Sequence, residues 1–411
     1  MKFINEQNVR TDYWVAIRIP KGIRSVKVYL ALPPEHMNQK NVRIEKINLD
    51  PIKIVSAGEN RIAYFDLNAS TRIEVKCRYS SYEALLSDNS EMLDAKGYEE
   101  YTHSEPLIEI TPEIKKLARD IIGDERDELK QARAIFDWVR ENIRYRRPKT
   151  RLGNLITLRE RKGDCGDMSF LFVSLCRSIG IPARCVFGWW TAGPGKVGPH
   201  AWAECYTAES GWIPVDCSIA VLAKRANSLR GLYGFYSGID IYGIPRDPEY
   251  YFGNIDNKRI IYSVGTNLLL EPLYPEQEFD RDDYRKWTLN INDREFVFGK
   301  ESIDGRTLLY LQPFSLFFTR ENEKNRKYPS FDIKLYVDAG FGKKLVYLVG
   351  IISAILIVPF LVVGSALGFT SIYLIPFTFH TITSILQYKH VTRVFWCLIL
   401  FLILLIVSKV L

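Results

Sequence analysis

Three residues of this chain have side chains and neighbours suited to attack on an acyl carbon: Cys165, His200 and Asp216. Cys165 lies in Gly163-Asp164-Cys165-Gly166-Asp167-Met168-Ser169. The segment that follows, Phe170-Leu171-Phe172-Val173-Ser174-Leu175-Cys176, is apolar nearly all round, the pattern of a buried central helix. A thiol at the start of that helix is expected to meet unpaired backbone N–H groups and the positive end of the helix dipole, which favour its thiolate. The same N–H groups are expected to receive the oxyanion formed when sulfur attacks a carbonyl. Cys176, inside the helix, reads as packing.

A thiol nucleophile needs a base. His200 opens His200-Ala201-Trp202-Ala203-Glu204-Cys205-Tyr206, read as a strand with His200, Trp202, Glu204 and Tyr206 on one face. His36 follows Pro33-Pro34 in a loop and His103 lies in a connector, so neither stands beside the cysteine in sequence. Asp216 ends Gly211-Trp212-Ile213-Pro214-Val215-Asp216, an otherwise apolar strand where a bare carboxylate would be costly. Its natural partner is an imidazole N–H, whose tautomer it would fix. Thr207-Ala208-Glu209-Ser210 links the two strands, so they should form an antiparallel hairpin. A turn centred on Ala208 sets His200 opposite Asp216, Trp202 opposite Pro214 and Glu204 opposite Trp212. A slip of one residue would separate the pair onto two faces, whereas a slip of two would not.

The elements that must hold these residues are legible around them. Thr111-Pro112 opens a helix carrying Ile114, Leu117, Ala118 and Ile121. A second, from about Asp127 to Tyr145, buries Leu129, Ala132, Ile135, Phe136, Val139 and Ile143 on one stripe. Upstream, Tyr13 to Pro20, Val26 to Leu32, Val42 to Leu49, Arg61 to Leu67 and Thr71 to Tyr79 read as short strands of a β-sandwich. Residues 226–340 are aromatic-rich and strand-like, with no chemistry assigned.

Four motifs together, Gly163-Asp164-Cys165-Gly166-Asp167, Gly180-Ile181-Pro182-Ala183-Arg184, His200-Ala201-Trp202-Ala203-Glu204 and Gly211-Trp212-Ile213-Pro214-Val215-Asp216, resemble the transglutaminase-like superfamily over about residues 107–220. The flanking Leu32-Pro33-Pro34 and Tyr251-Phe252-Gly253-Asn254 through Arg259 resemble flanks of prokaryotic members. The resemblance implies a papain-like α+β core with a Cys165, His200, Asp216 triad and acyl transfer through a thioester. No tryptophan in residues 146–164 matches the upstream oxyanion donor of animal transglutaminases, and their calcium-regulated domains are not recognisable. Hydrolysis of an amide by a peptidase or amidase is therefore the leading reading, with Gln-to-Lys crosslinking as the alternative. A non-catalytic membrane scaffold is the reading from another class.

With 411 residues, two or three domains are expected. The α+β chain is divided into a β-sandwich (1–100), the transglutaminase-like catalytic core (101–225), a β-rich extension (226–342) and transmembrane helices (343–411). Residues 345–388 contain no Asp, Glu, Lys or Arg, enough for two spans of about 20 residues each, and 394–408 supply a third. Lys343-Lys344 and Lys389 with Arg393 flank a hairpin on one side, which the positive-inside rule makes cytoplasmic. Met1 to Gln7 leads into polar sequence and reads as lacking a secretory signal. Outside the tail the charge is nearly balanced, which speaks against nucleic acid as a partner; the resemblance implies a protein or peptide substrate. Seven cysteines without a C-x-x-C pair argue against structural zinc and a disulfide framework, so no metal or cofactor is expected.

Overall fold

The structure, a computed structural model, describes residues 1–87, 98–146, 153–190, 198–226 and 247–269, with the strands given below and 311–312 from the region beyond. The expected transmembrane region, 343–411, lies outside the described residues, and among those described no helix is long and apolar enough to cross a membrane. The chain divides into two compact units; one comprises 1–191, 195–222 and 247–337, the other 192–194, 223–246 and 338–411. Cys165, His200 and Asp216 all belong to the first.

Six strands open the chain: β1 (Lys2–Arg18), β2 (Ile23–Leu32), β3 (Gln39–Ile47), β4 (Lys53–Ala57), β5 (Asn60–Leu67) and β6 (Thr71–Leu85). β1 is longer than its apolar run predicts. It buries every second residue from Gln7 through Val9, Thr11, Tyr13 and Val15 to Ile17, so its first half hides its strand character behind polar residues. After a 3-10 turn at Glu99–Thr102 come α1 (Pro112–Ile122), α2 (Glu128–Asn142), β7 (Arg144–Tyr145), α3 (Asn154–Glu160), β8 (Lys162–Gly163) and α4 (Cys165–Ser178). Thr111 caps α1 through the Ile114 N–H, and Asp127 caps α2 through the Lys130 N–H. α2 stops at Asn142, short of the predicted Tyr145, because Arg144 and Tyr145 pair in parallel with Lys162 and Gly163. β9 (Ala183–Trp190), β10 (Gly198–Thr207), β11 (Gly211–Val215), α5 (Cys217–Ala226), β12 (Arg259–Val264) and β13 (Leu268–Leu269) follow. The last strands are β14 (Thr288–Ile291), β15 (Arg294–Val297), β16 (Thr307–Leu308), β17 (Phe314–Arg320) and β18 (Ser330–Asp338).

The N-terminal strands form two sheets, β15-β14-β18-β1-β6-β3 and β17-β2-β5-β4. Strands from the late β-rich region thus extend both sheets of the sandwich. A separate antiparallel sheet, β11-β10-β9-β12, lies against α4. α4 is buried continuously from Asp167 to Arg177, as its uniformly apolar sequence requires. Cys176 within it lies close to Cys205 of β10. Trp189 of β9 and Ile260 and Tyr262 of β12 join the sandwich core, so one apolar cluster runs through both parts. The outer edge of β12 is covered by side-chain amides: Gln39 exchanges hydrogen bonds with Ile261 at 2.9 and 3.1 Å, and Asn60 with Val264 at 2.7 and 2.8 Å. These pairings occupy backbone groups that an open sheet edge would present.

Candidate active site

Cys165 is the first residue of α4, and Asp164 is the N-cap. The Asp164 carboxylate accepts from the Gly166 and Asp167 N–H groups at 3.0 and 3.2 Å, while Asp167 reaches back to the Asp164 N–H at 3.2 Å. This capping box overturns one expectation: the first-turn amides of Gly166 and Asp167 are already engaged. It also brings a negative charge to the dipole's positive end. Burial, reinforced by that Asp164 charge, pushes the Cys165 thiol up, so the expected preformed thiolate is not what this environment favours. The nearby backbone N–H groups, that of Ala201 before that of Gly166, favour the thiolate, but burial and the charges of Asp164 and Asp216 outweigh them. The cap is closed tightly: a Cβ on Gly163 would stand 2.6 Å from the Asp167 Cβ. Burial and the Asp164 charge raise the Asp167 carboxyl to about 8, although it accepts N–H groups from both Gly153 and Asp164.

The hairpin forms, in a register two residues from the one centred on Ala208. Glu204 stands opposite Pro214, Tyr206 opposite Trp212 and Thr207 opposite Gly211. The turn is therefore Ala208-Glu209-Ser210, with the Ser210 N–H donating to Thr207 Oγ1 at 3.2 Å and Gly211 at φ 69°. A left-handed residue closing a three-residue loop is cheap for glycine. An even slip preserves faces, so Trp202 and Glu204 keep the face of His200. Asp216 lies just past the end of β11. Its N–H donates to the Tyr251 carbonyl at 2.9 Å, and its Oδ1 accepts from Ser218 Oγ and the Ile219 N–H at 2.9 and 3.0 Å, opening α5. An Asp-x-Ser before Ile219-Ala220-Val221-Leu222 is a helix-start signal that the strand reading passed over.

His200 and Asp216 meet directly: imidazole Nε2 lies 2.7 Å from Asp216 Oδ2, both residues buried. Trp202 stacks on the imidazole at 6.0 Å between centroids and 23° between planes, and Trp190 lies on it at 6.4 Å. Gln312 donates to the carbonyls of His200 and Gly188, the residue opposite His200 on β9. The thiol of Cys165 lies against the N–H of Ala201, the residue next to His200. The structure thus brings the three predicted residues to one place.

It adds a residue that the sequence reading left in a flanking strand. Arg259, fully buried, donates through Nη1 to the same Asp216 Oδ2 at 2.7 Å, and through Nε and Nη2 to Asp256 Oδ2 at 3.2 and 2.9 Å. Burial alone would raise the Asp216 carboxyl, but the charges of His200 and Arg259 hold it far below the usual carboxylate range. The available signal was an arginine opening the wholly buried strand Arg259-Ile260-Ile261-Tyr262, which demands an anion.

His36 lies in the loop between β2 and β3, as expected, but there it joins a second, largely buried network. Its Nδ1 lies 2.6 Å from Glu59 and its Nε2 2.8 Å from Glu204, and Arg184 bridges the same two carboxylates at 2.6 and 2.9 Å. Arg184 also stacks over Trp212 at 3.9 Å. Burial works against charging His36, but Glu204 and Glu59 raise it to about 9. Among the described residues no group of His, Cys, Asp and Glu side chains could hold a metal ion.

Residues 115–217 match the family model of the transglutaminase-like superfamily. An uncharacterized protein of Haemophilus influenzae is 28% identical over 211 residues, which are 44% of this chain and 57% of that relative's length. Among solved structures, a proposed cysteine protease from Cytophaga hutchinsonii aligns with TM-score 0.49 at 14% identity, covering 83% of this chain and 94% of that one. The periplasmic domain of TgpA from Pseudomonas aeruginosa, bound to ethylmercury, aligns with TM-score 0.34 at 17% identity, covering 52% and 91%.

Proposed function

We propose that this chain is a membrane-anchored thiol acyl-transfer enzyme that cleaves amide bonds of a protein or peptide through a thioester on Cys165, as a peptidase or amidase. The observation that carries the reading is the buried His200–Asp216 pair at 2.7 Å, set where the Cys165 thiol touches the neighbouring Ala201 N–H. The transglutaminase-like match over 115–217 supports it.

In this reading Asp216 occupies Nε2, so Nδ1 of His200 is the nitrogen that takes the thiol proton. Because burial and Asp164 disfavour a resting thiolate, that transfer accompanies attack of sulfur on the carbonyl carbon. The C=O electron pair moves onto oxygen. Collapse of this adduct breaks the C–N bond, the imidazolium gives its proton to the departing amine, and the acyl group remains as thioester. Water then adds to the thioester while its proton passes to His200. The C–S bond breaks, and sulfur recovers a proton from the imidazolium. With Gly166 and Asp167 capped by Asp164, the Cys165 N–H is the helix amide left to face the oxyanion.

Residues 345–411, nearly free of charge, would anchor the enzyme with the preceding residues in the cytoplasm. A peptide library presented to wild type and Cys165→Ala, with and without a primary amine, tests the chemistry. Cys165-dependent cleavage that the amine does not divert is expected. Amine incorporation as the main product would move the assignment to crosslinking, and absence of any acyl-probe labelling would end it. Protease digestion of oriented vesicles tests the topology, and a domain cut only from outside overturns it.

A further inference from the structure

Asp216 Oδ2 is shared. It accepts from His200 Nε2 and from Arg259 Nη1, each at 2.7 Å, and Arg259 spends its other side on Asp256. The guanidinium is wedged between two carboxylates, with its carbon 4.9 Å from the centre of the Trp202 ring that also stacks on His200. Its place on the sheet is fixed: Arg259 stands opposite Trp190 at the start of β12, the edge that Gln39 and Asn60 hold. From this arrangement we infer that Arg259 is a positioning residue for the proposed reaction: it locks the Asp216 carboxylate in one rotamer and limits how strongly His200 holds a proton.

The argument is one of charge. Asp216, Asp256 and Arg259 together carry one net negative charge, which a protonated His200 neutralises. Without Arg259 the imidazole would face two buried carboxylates, and its proton would be held too firmly for return to a leaving amine. Without Asp256 the guanidinium would be opposed by Asp216 alone, the cluster would carry no net charge, and the imidazolium would lose the negative charge that favours it. The other groups facing this cluster are Cys165, with Asp164 behind it at the α4 cap, the Cys217 thiol and Ser218 hydroxyl at the start of α5, the Tyr250 and Tyr251 phenols, the rings of Trp190 and Trp202, and the Gln312 amide on the His200 carbonyl. Burial raises Tyr251 well above its ordinary range, so it stays neutral throughout.

The inference rests on the proposed acyl transfer, but its test does not need activity. In the full chain carrying Cys165→Ala, with ¹⁵N-labelled histidines, the His200 imidazole signal is identified by its loss in His200→Gln and followed against pH. Arg259→Gln should move its midpoint up by about one pH unit or more, the usual effect of a neighbouring charge. Asp256→Asn should move it down, and Arg259→Lys should leave it near wild type. In the Cys165 enzyme the acid limb of the acylation rate should shift in the same directions. A structural role alone predicts no opposite signs: two unmoved midpoints, or two moving the same way, overturn the inference. Should Arg259→Gln lose its cooperative melt, the downward shift of Asp256→Asn decides. Opposite shifts in a protein without acyl transfer would uphold the charge assignment and discard the enzymatic reading.

Discussion

At the scale of single residues, the Asp164 carboxylate does two opposing things. It caps α4, and it places a negative charge beside the sulfur at that helix's start. Cys165 is nevertheless the one partly exposed residue among the described cysteines; Cys77, Cys176, Cys185, Cys205 and Cys217 are buried. Iodoacetamide should therefore alkylate Cys165 first, at a rate that keeps climbing as pH rises past neutrality, as peptide mass spectrometry would read. Faster labelling of Cys185 or Cys205 would contradict this. Asp164→Asn keeps a capping oxygen but removes the charge, and should speed labelling at pH 7 by up to about tenfold, the equivalent of one pKa unit. The meeting of Cys165, His200 and Asp216 was legible because each sits in a short local motif. The partner of Asp216 was not, since Arg259 is 43 residues away and only the fold brings them together.

At the scale of elements, the sheet that carries His200 depends on a close approach. Gly188 stands opposite His200 on β9, and a Cβ there would lie 2.2 Å from the Ile260 carbonyl oxygen of β12. Backbone cannot yield as a side-chain tip can, so Gly188→Ala must push β12 outward and carry Arg259 with it. A loss of about 1–3 kcal/mol in unfolding free energy is expected from such overpacking. Acylation should suffer more than stability does, because Arg259 would leave Asp216. Chemical denaturation alongside acyl-probe kinetics separates the two; unchanged kinetics in a destabilised variant would show that β12 does not support the site. The hairpin at β10 and β11 was readable from alternation, and its faces came out right. Its register did not, because the choice between centring on Ala208 or Glu209 depends on the Thr207 hydroxyl and the positive φ of Gly211, which alternation does not encode.

At the scale of the whole described unit, the sandwich and the sheet that carries His200 are clasped by His36, Glu59, Arg184 and Glu204, and this clasp has a pH signature. Composition could suggest a β-sandwich beside a core, but not that the sandwich's lone loop histidine would reach a glutamate on the same strand as His200. In the folded chain His36 titrates at about 9, above its ordinary 6.5, so its contribution is complete below 6.5 and is lost as pH rises through 9. Glu59 titrates at about 2, below its ordinary 4.5, so its contribution is complete above 4.5 and is lost as pH falls through 2. The two windows overlap between pH 4.5 and 6.5, where the clasp is strongest. His36→Ala leaves Glu204 buried with Arg184 as its remaining partner. The loss should be on the order of 3 kcal/mol near pH 6, the linkage value of a shift of this size. Calorimetric melting of wild type and His36→Ala at pH 6 and pH 10 checks this. The gap in Tm should be large at the lower pH and narrow at the higher, where the wild-type imidazole has lost its proton. A gap that stays constant would mean that His36 acts by packing alone, and a gap that widens with pH would reverse the assigned charge.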